Sequence, residues 1–482
     1  THGLTGLVEA AKGRTPLLLL TGDSPSVRVR DNQFVDQGQL HGAVGVATQR
    51  LRSPDTVVDD LKGAVRRAIV GRRPVAVPIP LDLQERPTKA NVEALEPILL
   101  PPLPRAPDAV VAQMADLLAA ARKPLIIAGR GAASEPARRA LAAIADRVGA
   151  LLATTMPANG LFAGHPFSVG MVGVHMSAAS VRLVAEADTL LAFGASLNQF
   201  TTRAGHLFPR LQAIVHCDLD ELAVAGAPVA LRAIGDAGAT AEALLAELER
   251  RRFTALGFHT ADVRGQIEAK LRETWPEDPA GNGVVDPRAV VTLLDRWLPR
   301  RRAIVPDTGH ASGYAIGYLS VPERGSGVYP FDFQAIGLAL GMAIGVAVAL
   351  PDRITVAVVG DGSLLMALGE VETAVRHRLP LLILVMNDAA FGAEVRELQM
   401  RGLPIDAALF PDVDFAAVGR AMGAQGLTVR RLDDLQAVRS WIADPQAPIV
   451  VDCKLDPRVP ADWFVEAIGG ESAYMRRPAP GY

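Results

Sequence analysis

A chain of 482 residues, 49% of them hydrophobic and with a mean hydropathy of +0.22, is long and apolar enough for about three domains with large cores. Its formal net charge of −3, with no basic stripe, argues against nucleic acid or an anionic membrane as partner. Two cysteines, Cys217 and Cys453, lie in apolar runs and read as free buried thiols rather than a disulfide framework or a metal site. No apolar run reaches the ~18 residues of a membrane span, and Thr1-His2-Gly3 opens without the pattern of a signal peptide, so a soluble, cytoplasmic protein is expected.

The predicted strands, in chain order, are Leu17 to Leu20, Val75 to Ile79, Leu125 to Ala128, Thr189 to Phe193, Ile214 to Cys217, Ile304 to Val305, Thr355 to Val359, Leu381 to Val385 and Ile449 to Val451. Ala/Leu/Arg-rich amphipathic segments separate them, an alternation that implies α/β units built on parallel sheets. Two stretches break the rhythm. The proline-rich run from Arg86 to Asp108 reads as a linker. So does Pro276 to Pro287, after a polar helix near Ala261 to Thr274. Three doubly wound α/β blocks result, at 1–86, 105–250 and 285–482, with no solenoid repeat.

The chemistry concentrates in the third block. Gly360-Asp361-Gly362-Ser363 ends one apolar strand and Asn387-Asp388 ends the next, 26 positions after Asp361. That gap suits one crossover helix between neighbouring parallel strands, which would bring both side chains to the same sheet edge. A carboxylate and an amide oxygen are hard donors suited to Mg²⁺, with diphosphate oxygens and water completing the coordination. Gly360 and Gly362 permit a tight turn and close approach of backbone to phosphate.

These residues, followed by Ala389-Ala390-Phe391-Gly392, resemble the cofactor motif of the thiamine-diphosphate enzymes of acetolactate synthase and benzoylformate decarboxylase type, and the resemblance extends over essentially the whole chain. It implies Mg²⁺ held by Asp361, Asn387 and the Ala389 carbonyl, with Gly360, Gly362, Ser363, Phe391 and Gly392 in the cofactor site. Phe333 to Gly341 resembles the segment that holds the cofactor bent, which gives Ile336 as the prop and the Gln334 carbonyl as acceptor for the 4′-amino group. The resemblance further implies a pyrimidine-binding domain at 1–86, a central Rossmann-like domain at 105–250 and a diphosphate domain at 285–482. The active site would form between subunits of a homodimer or homotetramer. The central domain is expected to be an empty scaffold, with FAD as the alternative.

Catalytic candidates are fewer. His310, in Asp307-Thr308-Gly309-His310, reads equally as a proton shuttle or as a residue that caps the following helix or bonds a diphosphate oxygen. Gln33 matches part of a Phe-Gln-Glu-x-Asp stretch of acetolactate synthases, while Asn32 and Phe34 depart from it and Asp36 reads as structural. Glu394, two residues past Gly392, is the third candidate, with Glu397 behind it. The other histidines show no metal-ligand spacing. Leu4 to Ala10 and Pro16 to Gly22 resemble the middle of the pyrimidine domain, but the family's catalytic glutamate, normally upstream, has no counterpart, and Glu9 does not replace it. Because half a domain would expose an unpaired sheet edge, a polypeptide continuing upstream is expected.

The reaction implied is carboligation of acetolactate-synthase type: a 2-oxo acid loses CO₂ to give an enamine that adds to a second carbonyl. The alternatives are non-oxidative decarboxylation, a 2-hydroxyacyl-CoA lyase, for which Trp463 to Tyr482 shows no basic cluster beyond Arg476-Arg477, and a non-catalytic cofactor-binding paralogue.

Overall fold

The computed structural model describes residues 2–25, 32–90, 97–222, 228–270 and 283–461. Part of the second predicted linker, the end of the polar helix and the stretch from Trp463 onward lie outside the described residues; the helix is described over Ala261–Lys270. The chain divides into two compact units. One comprises Thr1–Pro102 with Pro330–Leu338, and the other Leu103–Tyr329 with Ala339–Tyr482. Segment 330–338, predicted within the diphosphate block, therefore belongs to the unit built from the N-terminal residues.

In the first unit, β1 (Leu17–Asp23), β2 (Ala47–Thr48) and β3 (Pro74–Pro80) form a parallel sheet in the order β1-β3-β2. Val75 and Val77 pack with Ala64 and Ala68 of helix Val57–Gly71 on one face, and Ala76 packs with Leu7 and Val46 on the other. That alternation is what a strand buried on both sides requires.

The second unit holds two parallel sheets. The first contains β4 (Pro124–Ala128), β5 (Leu151–Thr154), β6 (Ser168–Met171), β7 (Thr189–Phe193), β8 (Ala213–Asp218) and β9 (Leu231–Ile234), in the order β6-β5-β4-β7-β8-β9. Its direction of winding reverses between β4 and β7, where an open α/β sheet offers a crevice. Here the loops after those strands close on each other. A Cβ on Gly129 would lie 2.1 Å from the Gly194 carbonyl oxygen, and one on Gly131 would lie 2.9 Å from Gly194 Cα. Gly129, Gly131 and Gly194 serve backbone-to-backbone packing.

The second sheet contains β10 (Arg302–Pro306), β11 (Ile354–Gly360), β12 (Leu381–Asn387), β13 (Gln425–Val429) and β14 (Ile449–Lys454), in the order β10-β11-β12-β14-β13. Val356, Val358, Leu382, Leu384 and Val451 fill one face; Ala357, Val359, Ile383, Val385 and Val450 fill the other. Strands β2, β5, β6, β9 and β13 were not predicted; they are short and carry Ala, Gly, Ser or Gln where a strong β signal needs branched or aromatic residues.

Candidate active site

Parallel pairing in register places Gly360 of β11 opposite Met386 of β12, so Asp361 and Asn387 leave the sheet at adjacent strand ends. Both side chains are buried. One Asp361 oxygen accepts from the Gly362 N–H (2.8 Å) and the other from the Ala390 N–H (3.3 Å), which ties the two turns together. Burial pushes Asp361 up to about 7, with Asp388 adding to the shift and the N–H groups of Gly362, Ala390 and Ala389 opposing it. Asp388 is itself pushed up to about 6 by burial, against the pull of the Arg396 guanidinium.

Asn387 is oriented by its nitrogen. Nδ2 donates to Asp452 Oδ1 (2.9 Å), the Val413 carbonyl (3.1 Å) and Asp412 Oδ1 (3.3 Å), while Oδ1 accepts from the Ala389 N–H (3.2 Å). Ala389 sits at φ 55°, a conformation that is strained for a non-glycine residue and typical of sites that hold a loop to a defined shape. Its carbonyl accepts from the Phe410 N–H at 3.1 Å, and a carbonyl oxygen keeps a second lone pair.

The donor set fits a hard divalent cation. Asp361 is a carboxylate that burial and Asp388 make costly to ionise, and a cation beside it would relieve that cost. The Asn387 oxygen and the Ala389 carbonyl add neutral oxygen donors. Among the described residues no three His, Cys, Asp or Glu side chains gather as a metal site.

The neighbouring motif residues are committed to structure. A Cβ on Gly362 would meet Phe391 Cε1 at 2.5 Å, and one on Gly392 would meet Asp388 Oδ2 at 2.6 Å. The Phe391 ring stands edge-on to Phe410, with centroids 5.3 Å apart. Ser363 Oγ donates to the buried Asp307 carboxylate, linking the turn after β10 to that after β11.

His310 opens helix His310–Tyr318 and is buried. Nε2 accepts from the Ala461 N–H (2.9 Å), and Nδ1 lies 3.4 Å from the Tyr314 hydroxyl, which donates to the Val459 carbonyl (2.7 Å). Burial, with Arg396 nearby, pushes its pKa well below the usual value, so the ring is neutral. Both nitrogens thus face partners that hold residues 459–461. Glu394 is exposed on the first turn of helix Gly392–Met400, and Glu397 pairs with Arg401 at 2.5 Å.

Gln33, Gln334 and Ile336 lie in the other unit. Gln33 is exposed, and Asp36 caps helix Gln37–Ala43 through the Gln39 N–H (2.9 Å). Gln334 adopts φ 65° just ahead of Gly337 at φ 87°, so segment 330–338 is sharply turned on both sides of Ile336. Asp452 and Lys454 escaped the sequence reading; they are two positions apart at the end of an apolar strand and so share a face. Glu9, weighed above only as a catalytic substitute, also bonds residues more than 300 positions away, a role that no local pattern marks.

Residues 111–244 match the model of the thiamine pyrophosphate enzyme central domain, and residues 307–453 match that of the C-terminal TPP binding domain. The chain belongs to the thiamine pyrophosphate enzymes. The second match runs from Asp307 to Cys453 and includes Asp361, Asn387 and Asp452. Relatives of this family member include a sulfoacetaldehyde acetyltransferase of Alcaligenes xylosoxydans xylosoxydans, 29% identical over 66% of this chain and 58% of the relative. A sulfoacetaldehyde acetyltransferase of Rhodobacter capsulatus is 27% identical over 92% of this chain and 80% of the relative. The acetolactate synthase large subunit of Parasynechococcus marenigrum is 27% identical over 94% of this chain and 74% of the relative. The chain thus spans less than two thirds of the first relative and about three quarters or more of the other two.

Proposed function

We propose that this polypeptide is a thiamine-diphosphate- and Mg²⁺-dependent enzyme that joins or breaks a carbon–carbon bond beside a carbonyl, with carboligation of a 2-oxo acid as its reaction. The carrying observation is the pairing of buried Asp361 with an Asn387 amide whose nitrogen is tied down, which leaves its oxygen for a cation. In this reading Asp361, Asn387 and the Ala389 carbonyl hold Mg²⁺, which binds the cofactor diphosphate. Bound thiamine diphosphate supplies the carbon nucleophile and the electron sink. The chain's own part is to neutralise the diphosphate charge through the cation and to keep the cation-binding turns rigid: Phe391 against Gly362, and Asp307 against Ser363.

Relatives named as an acetyltransferase and a synthase support transfer of a two-carbon unit over simple decarboxylation. A homodimer or homotetramer belongs to the same reading, as does the cytoplasm, a reducing compartment with which the two buried free cysteines agree. The test is calorimetric titration of the purified full-length protein with thiamine diphosphate and Mg²⁺, followed by a panel of 2-oxo acids with product analysis. Asp361→Ala is expected to abolish Mg²⁺-dependent cofactor binding; unchanged affinity would refute the site. CO₂ release with a free aldehyde as sole product would replace carboligation by decarboxylation.

A further inference from the structure

Asn387 presents its oxygen outward because of what lies behind it. Its two Nδ2 protons face three oxygens, those of Asp452, Val413 and Asp412. Turned by 180°, the amide would set its own oxygen against all three in a buried site, where opposed acceptors are costly. Asp452 is fully buried, and its other oxygen accepts from Lys454 Nζ (2.8 Å) and the Phe415 N–H (3.0 Å). Lys454, also buried, donates in addition to the Val413 carbonyl (2.8 Å) and to Asp412. Register explains the grouping: Asn387 pairs with Lys454 and Val385 with Asp452, so alternation along β14 puts both charged residues on the face of the sheet where Asn387 leaves β12.

We propose that Asp452, ion-paired with Lys454 and braced through Asp412, is the positioning residue of the cation site: it decides which end of the Asn387 amide the cation meets. This rests on the Mg²⁺ reading above. A buried ion pair is a weak source of stability, because desolvating both charges offsets most of their attraction. What the pair supplies here is direction. It selects one of two nearly isosteric amide orientations, and donation to a carboxylate draws electron density toward the amide oxygen. Asp452 touches no cofactor in this role and acts only through Asn387.

The isosteric Asp452→Asn variant tests it. An amide at 452 must aim its NH₂ either at Asn387, favouring the flipped orientation, or at the Lys454 and Phe415 donors, which breaks the brace. Mn²⁺ binding, followed by electron paramagnetic resonance with thiamine diphosphate present and well below each protein's unfolding temperature, is compared in wild type, Asp361→Ala, Asp452→Asn and Asp412→Asn. Loss of a supporting hydrogen bond behind a metal ligand predicts a Kd raised about 10- to 100-fold in folded Asp452→Asn. In Asp412→Asn, whose side chain is half exposed, the rise is about threefold, the worth of one weak hydrogen bond. A merely structural role would lower the metal-free unfolding temperature and leave Kd unchanged, and wild-type Kd in folded Asp452→Asn overturns the proposal. If Asp452→Asn does not fold, Asp412→Asn decides: a raised Kd supports the proposal and an unchanged one overturns it. A wild-type protein that binds no Mn²⁺, or an Asp361→Ala variant that binds it normally, removes the Mg²⁺ reading itself, a result distinct from an intact site indifferent to residue 452.

Discussion

The Glu9 carboxylate accepts the main-chain N–H of Phe333 at 2.7 Å, and its second oxygen accepts that of Asp332 at 2.9 Å. Glu9 is buried on helix Leu4–Lys12, so one side chain near the start of the chain anchors the turned segment that carries Gln334 and Ile336. In Glu9→Gln an amide NH₂ would face one of these donors, losing a part-buried hydrogen bond at a cost of about 1 kcal/mol. Faster hydrogen exchange at Asp332 and Phe333 is expected, with a lower unfolding temperature. Exchange rates equal to wild type would show that the carboxylate does not hold this segment.

Gly362→Ala tests the rigidity of the motif turn. The added methyl meets the Phe391 ring at 2.5 Å, and Phe410 stands edge-on beside that ring. Overpacking of this kind costs about 1–3 kcal/mol. Unfolding temperature should fall, and Mg²⁺-dependent cofactor affinity should fall with it because the displaced ring carries Ala389 and Ala390. Double substitution with Phe391→Leu should recover part of the stability; no recovery would place the strain elsewhere.

His310→Phe should release the segment that follows β14. The variant removes the acceptor of the Ala461 N–H and the neighbour of the Tyr314 hydroxyl. Arg396 still holds that segment through the Pro457 and Val459 carbonyls (3.0 and 3.1 Å), so the expected result is a faster amide exchange at Ala461 in a folded protein. Unaltered exchange, with activity lost, would instead favour a direct chemical role for the imidazole.

His175 should contribute a loss of stability in mild acid, opposed over the same range by the raised carboxyls of Asp361 and Asp388. Burial, reinforced by Arg203, pushes His175 down to about 3 from an ordinary 6.5. Between those values the unfolded chain binds the proton and the native one does not, so folding weakens as pH drops below 6.5, by up to ~1.4 kcal/mol per pH unit. Above 6.5 both states are neutral at this position and the contribution vanishes. His175→Gln should flatten the fall in unfolding temperature between about pH 7 and pH 5. Identical profiles would mean that His175 is protonated in the native state.

Much of this fold was legible because a strand buried on both faces must be written as an uninterrupted apolar run, and runs such as 381–385 and 355–359 have no other reading in so short a span. The motif turns were legible for a related reason: polar residues at the carboxyl ends of neighbouring strands have few structural excuses. Three things were hidden. The short strands β5, β6 and β9 take their conformation from pairing rather than from their own side chains. Asp452 and Lys454 announce themselves only once register sets them beside Asn387. The dual allegiance of segment 330–338, diphosphate block by sequence and N-terminal unit by packing, depends on Glu9, a contact that spans most of the chain.

The seam between residues 129–131 and 194 carries a lesson for redesign. Where side chains fill a crevice, trimming them opens it. Where the walls are main chain, as at Gly129 and Gly194, no point substitution makes room, and every larger residue at these glycines drives the loops apart. A nucleotide at this edge of the central sheet has to rest above the seam. Refitting the domain for a ligand threaded between the loops would demand new loop lengths, not new side chains.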